Sequence, residues 1–459
     1  MLSLRRNFSR QTTVELLRLA LPMVVSQGTF AVMIFTDRYF MSQIDPAHMA
    51  AALGGGVASF FSICFFIGLF AYANALSSQY LGAGEPEKCP RVVTQGLIMT
   101  AMSVPFLTLI TFLVSGIFEV MGHEPELVEL ERTYYLILMA GVLFTLAKVC
   151  IASYFAGIGR TNVVMICDVF GLVINIPLCY VMVFGKLGFP ALGIVGAGIS
   201  TVIATVLAFA LFVAFYFHRE HREAFAVLDS FRLDLKILRR YWRLGFPSGL
   251  VLFLYVAAFN LFLLMFQSYG IAESAAAAIV FNWDVLSFIP MIGLSVGIIS
   301  MTGRFVGARD MTRVNEVMTA AFGVALIYSP VLAIIYSLFR YPLVEVFAPP
   351  SGDFSAIREI SAFMMFGLSS YVMADAIILV SGGILRGAGD TRWLMAASVS
   401  LHWAMLVAQF FIIRVLELSP RVSWLAFVVM ILAIAVVYAL RLRTDRWRDP
   451  EVLERVMQE

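Results

Sequence analysis

Six ionisable side chains fall inside long apolar runs of this 459-residue chain: Asp37, Asp168, Asp284, Asp375, Arg38 and Lys148. A charge at the centre of a bilayer costs about 2.5–3.5 kcal/mol on insertion scales, so each needs a partner, water or a function. Asp375 stands three helical turns before Arg386, which marks the inner end of its run. At 1.5 Å per residue that depth is about 16 Å, near the midplane. A carboxylate there can bind a cation directly, or take up and release a proton. The competing reading is a capped structural Asp. Counted in the same way, Asp37 lies roughly 19 positions outward of Arg18 and Asn175 roughly 14 outward of Thr161, while Ser200 and Thr201 lie roughly 10 inward of Ala191. These depths overlap, so Asp37, Asn175 and Thr201 are expected to form one polar cluster; the alternative pairs Asp37 with Arg38 at the outer surface. Lys148 and Asp168 sit at similar depth on consecutive antiparallel runs and are expected to form a structural ion pair.

Aromatic residues are 14% of the chain, including 40 Phe, and there are 23 Met. Most must face lipid or other helices, yet a cavity lined by Phe and Met suits bulky cations through dispersion and cation–π contact. Phe30, Phe61, Tyr255, Phe259, Phe281, Trp283 and Met291 are candidates for such a lining. Gln27, Gln79, Gln267 and His402 either tie helices together or line the cavity.

These residues must be positioned by membrane-crossing helices. The chain is 61% hydrophobic and only 14% charged, too few charges to coat a soluble protein of this size. Apolar runs long enough to cross the hydrocarbon fall near 16–42, 47–81, 91–118, 129–156, 161–185, 191–217, 237–269, 273–303, 313–339, 355–385, 391–414 and 421–441. With the N-terminus inside, 24 of the 32 Lys and Arg lie in inner segments and six in outer ones, Arg38 and Lys148 being within spans. This asymmetry places both termini in the cytoplasm. The N-terminal segment lacks the pattern of a cleaved signal, so the first run reads as a retained helix. Residues 218–243 read as a cytoplasmic linker with an amphipathic helix, in which His218 and His221 belong to a solvated charge run. The five Cys lack metal or redox spacing and read as small buried hydrophobes.

The halves repeat. LALP at 19–22 echoes LGFP at 244–247, and Gly82 of YLGAGEPEK echoes Gly307 of FVGARDMTR, both at an offset of 225; GIGRT at 157–161 echoes GAGDT at 387–391 at 230, with the extra length assigned to an outer loop at 346–354. Six spans per half make the repeats parallel, an arrangement typical of transporters with substrate held near the midplane. The expected organisation is an amino-terminal lobe (1–217), the linker (218–243) and a carboxyl-terminal lobe with a cytoplasmic tail (244–459).

LALPMVVSQ followed by MIFTDRYF, QYLGAGEPEK, GLVINIPLCYVMVFGKLGFPALGIVGAGIST, LGFPSGLVLFL and ADAIILVSGGILRGAGDTR, in this order, resemble MATE multidrug and toxin extrusion transporters of the NorM-like branch, over about residues 15–440. The resemblance implies an all-α V-shaped fold of twelve helices in two six-helix bundles. It also implies a monomer in the bacterial inner membrane that exports cationic amphipathic compounds in exchange for inward Na⁺ or H⁺. By resemblance Asp375 matches the span-ten Asp of the cation site, possible Na⁺ ligand included, and Asp37 the span-one Asp. The chain departs from the family at Tyr255, where NorM-type members carry a Glu. Either Asp284 replaces that carboxylate, or Tyr255 contributes a hydroxyl beside Asp375; Asn260 and Asn282 could add carbonyl oxygens.

No Walker or HExxH motif occurs, so nucleotide and enzyme readings have no support. No cofactor is expected beyond the coupling ion, and the net charge of +2 gives no reason to expect a nucleic-acid partner. A lipid-linked oligosaccharide flippase of the same superfamily is the alternative; handling pyrophosphate would call for several basic residues in the cavity, against Arg38 and Lys148 here. An ion channel would need a ring or filter, and none is legible.

Overall fold

The computed structural model describes residues 9–120, 124–348 and 354–458. Of the expected outer loop at 346–354, residues 349–353 lie outside the described residues, as do Arg5 and Arg6. The long helices are α1 (Arg10–Ser42), α2 (Pro46–Ala71, continued by Ala73–Gly82), α3 (Cys89–Met102 and Val104–Val120), α4 (Pro125–Ala140 and Val142–Gly157), α5 (Thr161–Phe184), α6 (Ile194–Phe217), α7 (Leu235–Gln267), α8 (Ile271–Gly307), α9 (Met311–Leu338), α10 (Ser355–Ala388), α11 (Thr391–Phe410, ending in a π-helical turn Phe411–Val415) and α12 (Pro420–Arg443). Among the described residues ten spans are continuous and apolar enough to cross a bilayer. The two bent pairs, α3 (44°) and α4 (49°), bring the number to twelve. The α4 bend falls at Gly141, where a Cβ would lie 2.7 Å from Val202.

Local chemistry ends and starts these helices. Asp45 caps α2 by accepting from His48 N–H at 2.8 Å, and Asp310 caps α9 by accepting from Arg313 N–H at 3.0 Å, as expected of N-terminal carboxylates. Gly185 closes α5 in the left-handed region at φ 66°, a conformation that costs a side-chain-bearing residue. The exposed surface of the spans carries large apolar side chains such as Phe35, Phe112 and Ile327, as a lipid-facing surface must.

The 218–243 stretch differs from expectation. Its helical part is a short turn, Arg219–Ala224, followed by a 3₁₀ turn, Val227–Ser230; α7 already begins at Leu235. His221 is fully buried and is not part of a solvated run. It lies among the rings of Tyr154, Phe155, Tyr216 and Phe225, with Nε2 3.1 Å from the Tyr154 hydroxyl. The charge run hides it because burial of a helical turn depends on what it docks against. Gln95 of α3 holds the same segment, donating to Arg232 C=O at 2.9 Å and accepting from Asp234 N–H at 3.1 Å.

By contacts the chain forms two compact units. One holds residues through Val24 together with Leu254–Met457; the other holds Val25–Phe253 with Gln458. The first is built on α10, packed against α8, α9 and α12, around Phe262, Trp424 and Phe427. Small residues permit close approach: Gly383 lies against Ile298 and Ser295, and Gly387 against Ile299 C=O, the usual device of membrane helix interfaces. In this unit Gly293 of α8 meets the backbone of Val24. In the second unit Gly68 of α2 meets Gly249 of α7. All five cysteines are buried and free.

Candidate functional site

Two polar clusters interrupt the apolar helices, one in each unit. In the unit of Val25–Phe253, Asp37 of α1 is 5% exposed. Its Oδ2 accepts from Thr201 Oγ1 of α6 at 3.0 Å, and its Oδ1 from Cys179 Sγ of α5 at 3.5 Å. Asn175, one helical turn before Cys179, is fully buried and donates through Nδ2 to Thr201 Oγ1 at 3.3 Å. Its carbonyl Oδ1 is buried with no hydrogen-bond partner among the described residues. The structure thus brings Asp37, Asn175 and Thr201 together. No ion pair joins Asp37 to Arg38 among the described residues. A buried amide oxygen without a partner, in a cluster that also holds a buried carboxylate, is a group that a hard cation can satisfy, since such ions take oxygen ligands.

A few turns from Asp37 in the same unit, Lys148 Nζ lies 3.0 Å from Asp168 Oδ1, and Ser26 Oγ donates to Asp168 Oδ2 at 2.5 Å. The ion pair is therefore a three-helix tie among α1, α4 and α5.

In the other unit Asp375 and Tyr371 lie on α10 and Asp284 on α8, two helices packed against each other, with Tyr255 on α7. Asp284 Oδ1 is buried with no hydrogen-bond partner among the described residues. His402 stacks edge-on against Tyr255, ring centroids 5.1 Å apart, while its Nδ1 stays on Ser398 C=O of its own helix at 2.7 Å. Asn260 and Asn282 donate to carbonyls one turn back, at 2.8 Å and 2.7 Å, which ties their Nδ2 groups to the helix.

The aromatic candidates separate. Phe259 and Phe281 meet edge to face at 5.0 Å, and Phe61 packs on Phe253 at 5.1 Å. Phe30 is half-exposed. Met291 is a core residue, 4% exposed. Trp283 donates from Nε1 to Leu343 C=O at 3.2 Å and packs on Phe347, which occupies its ring. Gln79 bonds Arg240, a side chain only 1% exposed, at 2.7 Å. Sequence reasoning missed Cys179 and Tyr371. Each sits one helical turn from a recognised polar residue, Asn175 and Asp375, and so on the same helical face; that spacing was the available signal.

Long apolar helices in a twofold repeat, each unit holding carboxylates within its spans, define a polytopic membrane transporter scaffold. The MatE family model matches residues 22–181 and 247–409, two stretches whose starts are separated by the offset of the sequence repeat. The chain belongs to the MatE family. It is 25% identical over 452 residues to the multidrug resistance protein NorM of Photobacterium profundum, covering 97% of this chain and 98% of that one. It is 25% identical over 438 residues to the multidrug resistance protein MdtK of Edwardsiella ictaluri, covering 94% of each. Among solved structures, a MOP superfamily transporter from Pyrococcus furiosus superposes with a TM-score of 0.86 at 20% identity over 95% of this chain and 97% of that one. A eukaryotic MATE transporter superposes with a TM-score of 0.84 at 16% identity over 97% and 99%. These two likenesses establish the twelve-helix fold. A multi-pass transporter of this family is not an enzyme.

Proposed function

We propose that the protein is a secondary antiporter of the bacterial inner membrane, with both termini in the cytoplasm, that exports cationic amphipathic compounds in exchange for inward Na⁺ or H⁺. The observation that carries this reading is the set Asp37, Asn175 and Thr201, in which Thr201 links a buried carboxylate to an amide whose oxygen is buried with no hydrogen-bond partner among the described residues. Asp37 holds the coupling cation or proton in this unit. Asp375, with Asp284 in place of the family's missing Glu, holds the second acidic site, and Tyr255 and Tyr371 present hydroxyls to it. The names of the NorM and MdtK relatives support multidrug export. Cation occupancy at either site changes the relative stability of the two access states, and with it the affinity for substrate. Lys148, held by Asp168, stabilises the scaffold and is not a phosphate ligand, which weighs against the flippase reading.

The deciding experiment is efflux of a cationic dye from proteoliposomes under separately imposed Na⁺ and H⁺ gradients. Efflux driven by one gradient and abolished by Asp37→Asn supports the reading. Efflux indifferent to both gradients would overturn it.

A further inference from the structure

A groove of about 400 Å³ runs along the unit of Leu254–Met457. Its walls are Leu261, Leu264 and Met265 of α7 and Trp403, Val407 and Phe410 of α11. On each helix these residues fall at i, i+3, i+4 or i+7, a single stripe facing the groove. Leu264, Val407 and Phe410 are half-exposed or more. Trp403 Nε1 is itself buried, so the ring offers the groove carbon. The one charged lining residue is Arg414. It lies in the π-helical turn that ends α11, and its distance from Trp403 along the helix is about 16 Å. Turns of this kind re-aim side chains and recur at functional sites. The rim is tied down: Tyr269 hydroxyl donates to Leu418 C=O at 2.7 Å. Arg421, the neighbouring cation at this end, rests on the Phe363 ring. Arg414 is exposed and has no carboxylate within ion-pair distance among the described residues.

We propose that this groove binds one acyl chain of an anionic phospholipid, with Arg414 holding its phosphate group. An elongated carbon-walled groove selects a chain, and an unpaired guanidinium at its mouth selects negative charge over a zwitterion. The site is independent of the transport reading. Reconstitution in mixtures of brominated phosphatidylglycerol and brominated phosphatidylcholine tests it through quenching of Trp403, isolated as the difference between wild type and Trp403→Phe. In the wild type, phosphatidylglycerol should be favoured at Trp403 by roughly fivefold, the effect of one cation near a lipid surface. Arg414→Gln, an exposed substitution, should bring that ratio to one. Equal quenching by the two lipids in the wild type, a preference that survives Arg414→Gln, or one that persists undiminished in Trp403→Phe would each overturn the proposal.

Discussion

Glu15 and Arg240 occupy equivalent positions of the internal repeat, at its offset of 225, and carry opposite charge into the same kind of contact. Glu15 near the start of α1 accepts from Arg304 of α8, and Arg240 near the start of α7 donates to Gln79 of α2 at 2.7 Å. Gln79 and Arg304 are related by the same offset. One helix–helix contact is thus made twice, once with the base on the second helix and once with it on the first. Around Glu15 the contact extends to Arg313 at 4.0 Å, and Thr12 donates to Glu316 at 2.6 Å. Around Arg240 it extends to the Tyr80 ring, 4.7 Å from the guanidinium.

The two versions should differ in cost. Glu15 and Arg304 are each about one-third exposed, so Glu15→Gln should cost up to about 1 kcal/mol. Arg240 is buried, stacked and hydrogen-bonded, so Arg240→Ala should cost about 3 kcal/mol through lost packing and the loss of a buried hydrogen bond. Thermal unfolding in detergent measures both, and equal losses would contradict the burial argument.

The same offset relates Gly68 to Gly293. A Cβ on Gly293 would lie 2.6 Å from Val24 N, and one on Gly68 would lie 2.9 Å from Gly249 Cα. Both obstacles are backbone, which cannot rotate away. Alanine at either position should therefore cost about 1–3 kcal/mol. Gly116 and Gly323 have nothing within 4 Å, so alanine there should be neutral or should stabilise by about 0.5–1 kcal/mol. Melting temperatures of the four variants separate the two groups.

Twelve spans were legible because hydrophobic length is set by the bilayer, and each apolar run became a helix with ends shifted by a few residues. The bends in α3 and α4 were not, since a run that stays apolar through Ser103 or Gly141 carries no sign of a change in axis. Depth counting placed Asp37, Asn175 and Thr201 together because helical rise is constant. It could not find Cys179, whose composition reads as apolar, nor Tyr371, which reads as a membrane aromatic. Depth also does not give facing, which is why Trp283, near the level of Asp284, turns its indole to Leu343. His221 was misread because its neighbours in sequence are charged while its neighbours in space are rings.

Asp37→Asn keeps the shape but removes the charge, so coupled efflux should fall by at least about tenfold, the scale for losing a charge-assisted site. Thr201→Val should fall less, since Cys179 still donates to the carboxylate. Cys179→Ser preserves a donor and should retain most activity. Dye efflux from proteoliposomes ranks the three; Cys179→Ser as damaging as Asp37→Asn would remove Asp37 from the coupling role.

Asp284 and Asp375 stand on two helices, α8 and α10, that pack against each other, and as one site their substitutions should not add. If they act as one site, Asp284→Asn and Asp375→Asn together should be no worse than the more damaging single change. Efflux rates of the two singles and the double decide it: multiplicative losses would mean separate roles.

His221 gives a pH prediction outside the spans. Burial, with Arg160 and His218 adding positive charge nearby, lowers its pKa from 6.5 to about 4. The folded protein therefore keeps His221 neutral while the unfolded chain protonates it below 6.5. Its contribution is fully present above pH 6.5, is lost progressively as pH falls, and levels off below about 4; this is the direction linkage requires when the unfolded state binds more protons. His221→Gln retains a polar group toward Tyr154 but cannot titrate, so its stability should vary less with pH than the wild type's across that window. Melting temperatures of both proteins between pH 4 and 7.5 provide the comparison. Parallel curves would mean that the ring cage admits a proton as readily as water does.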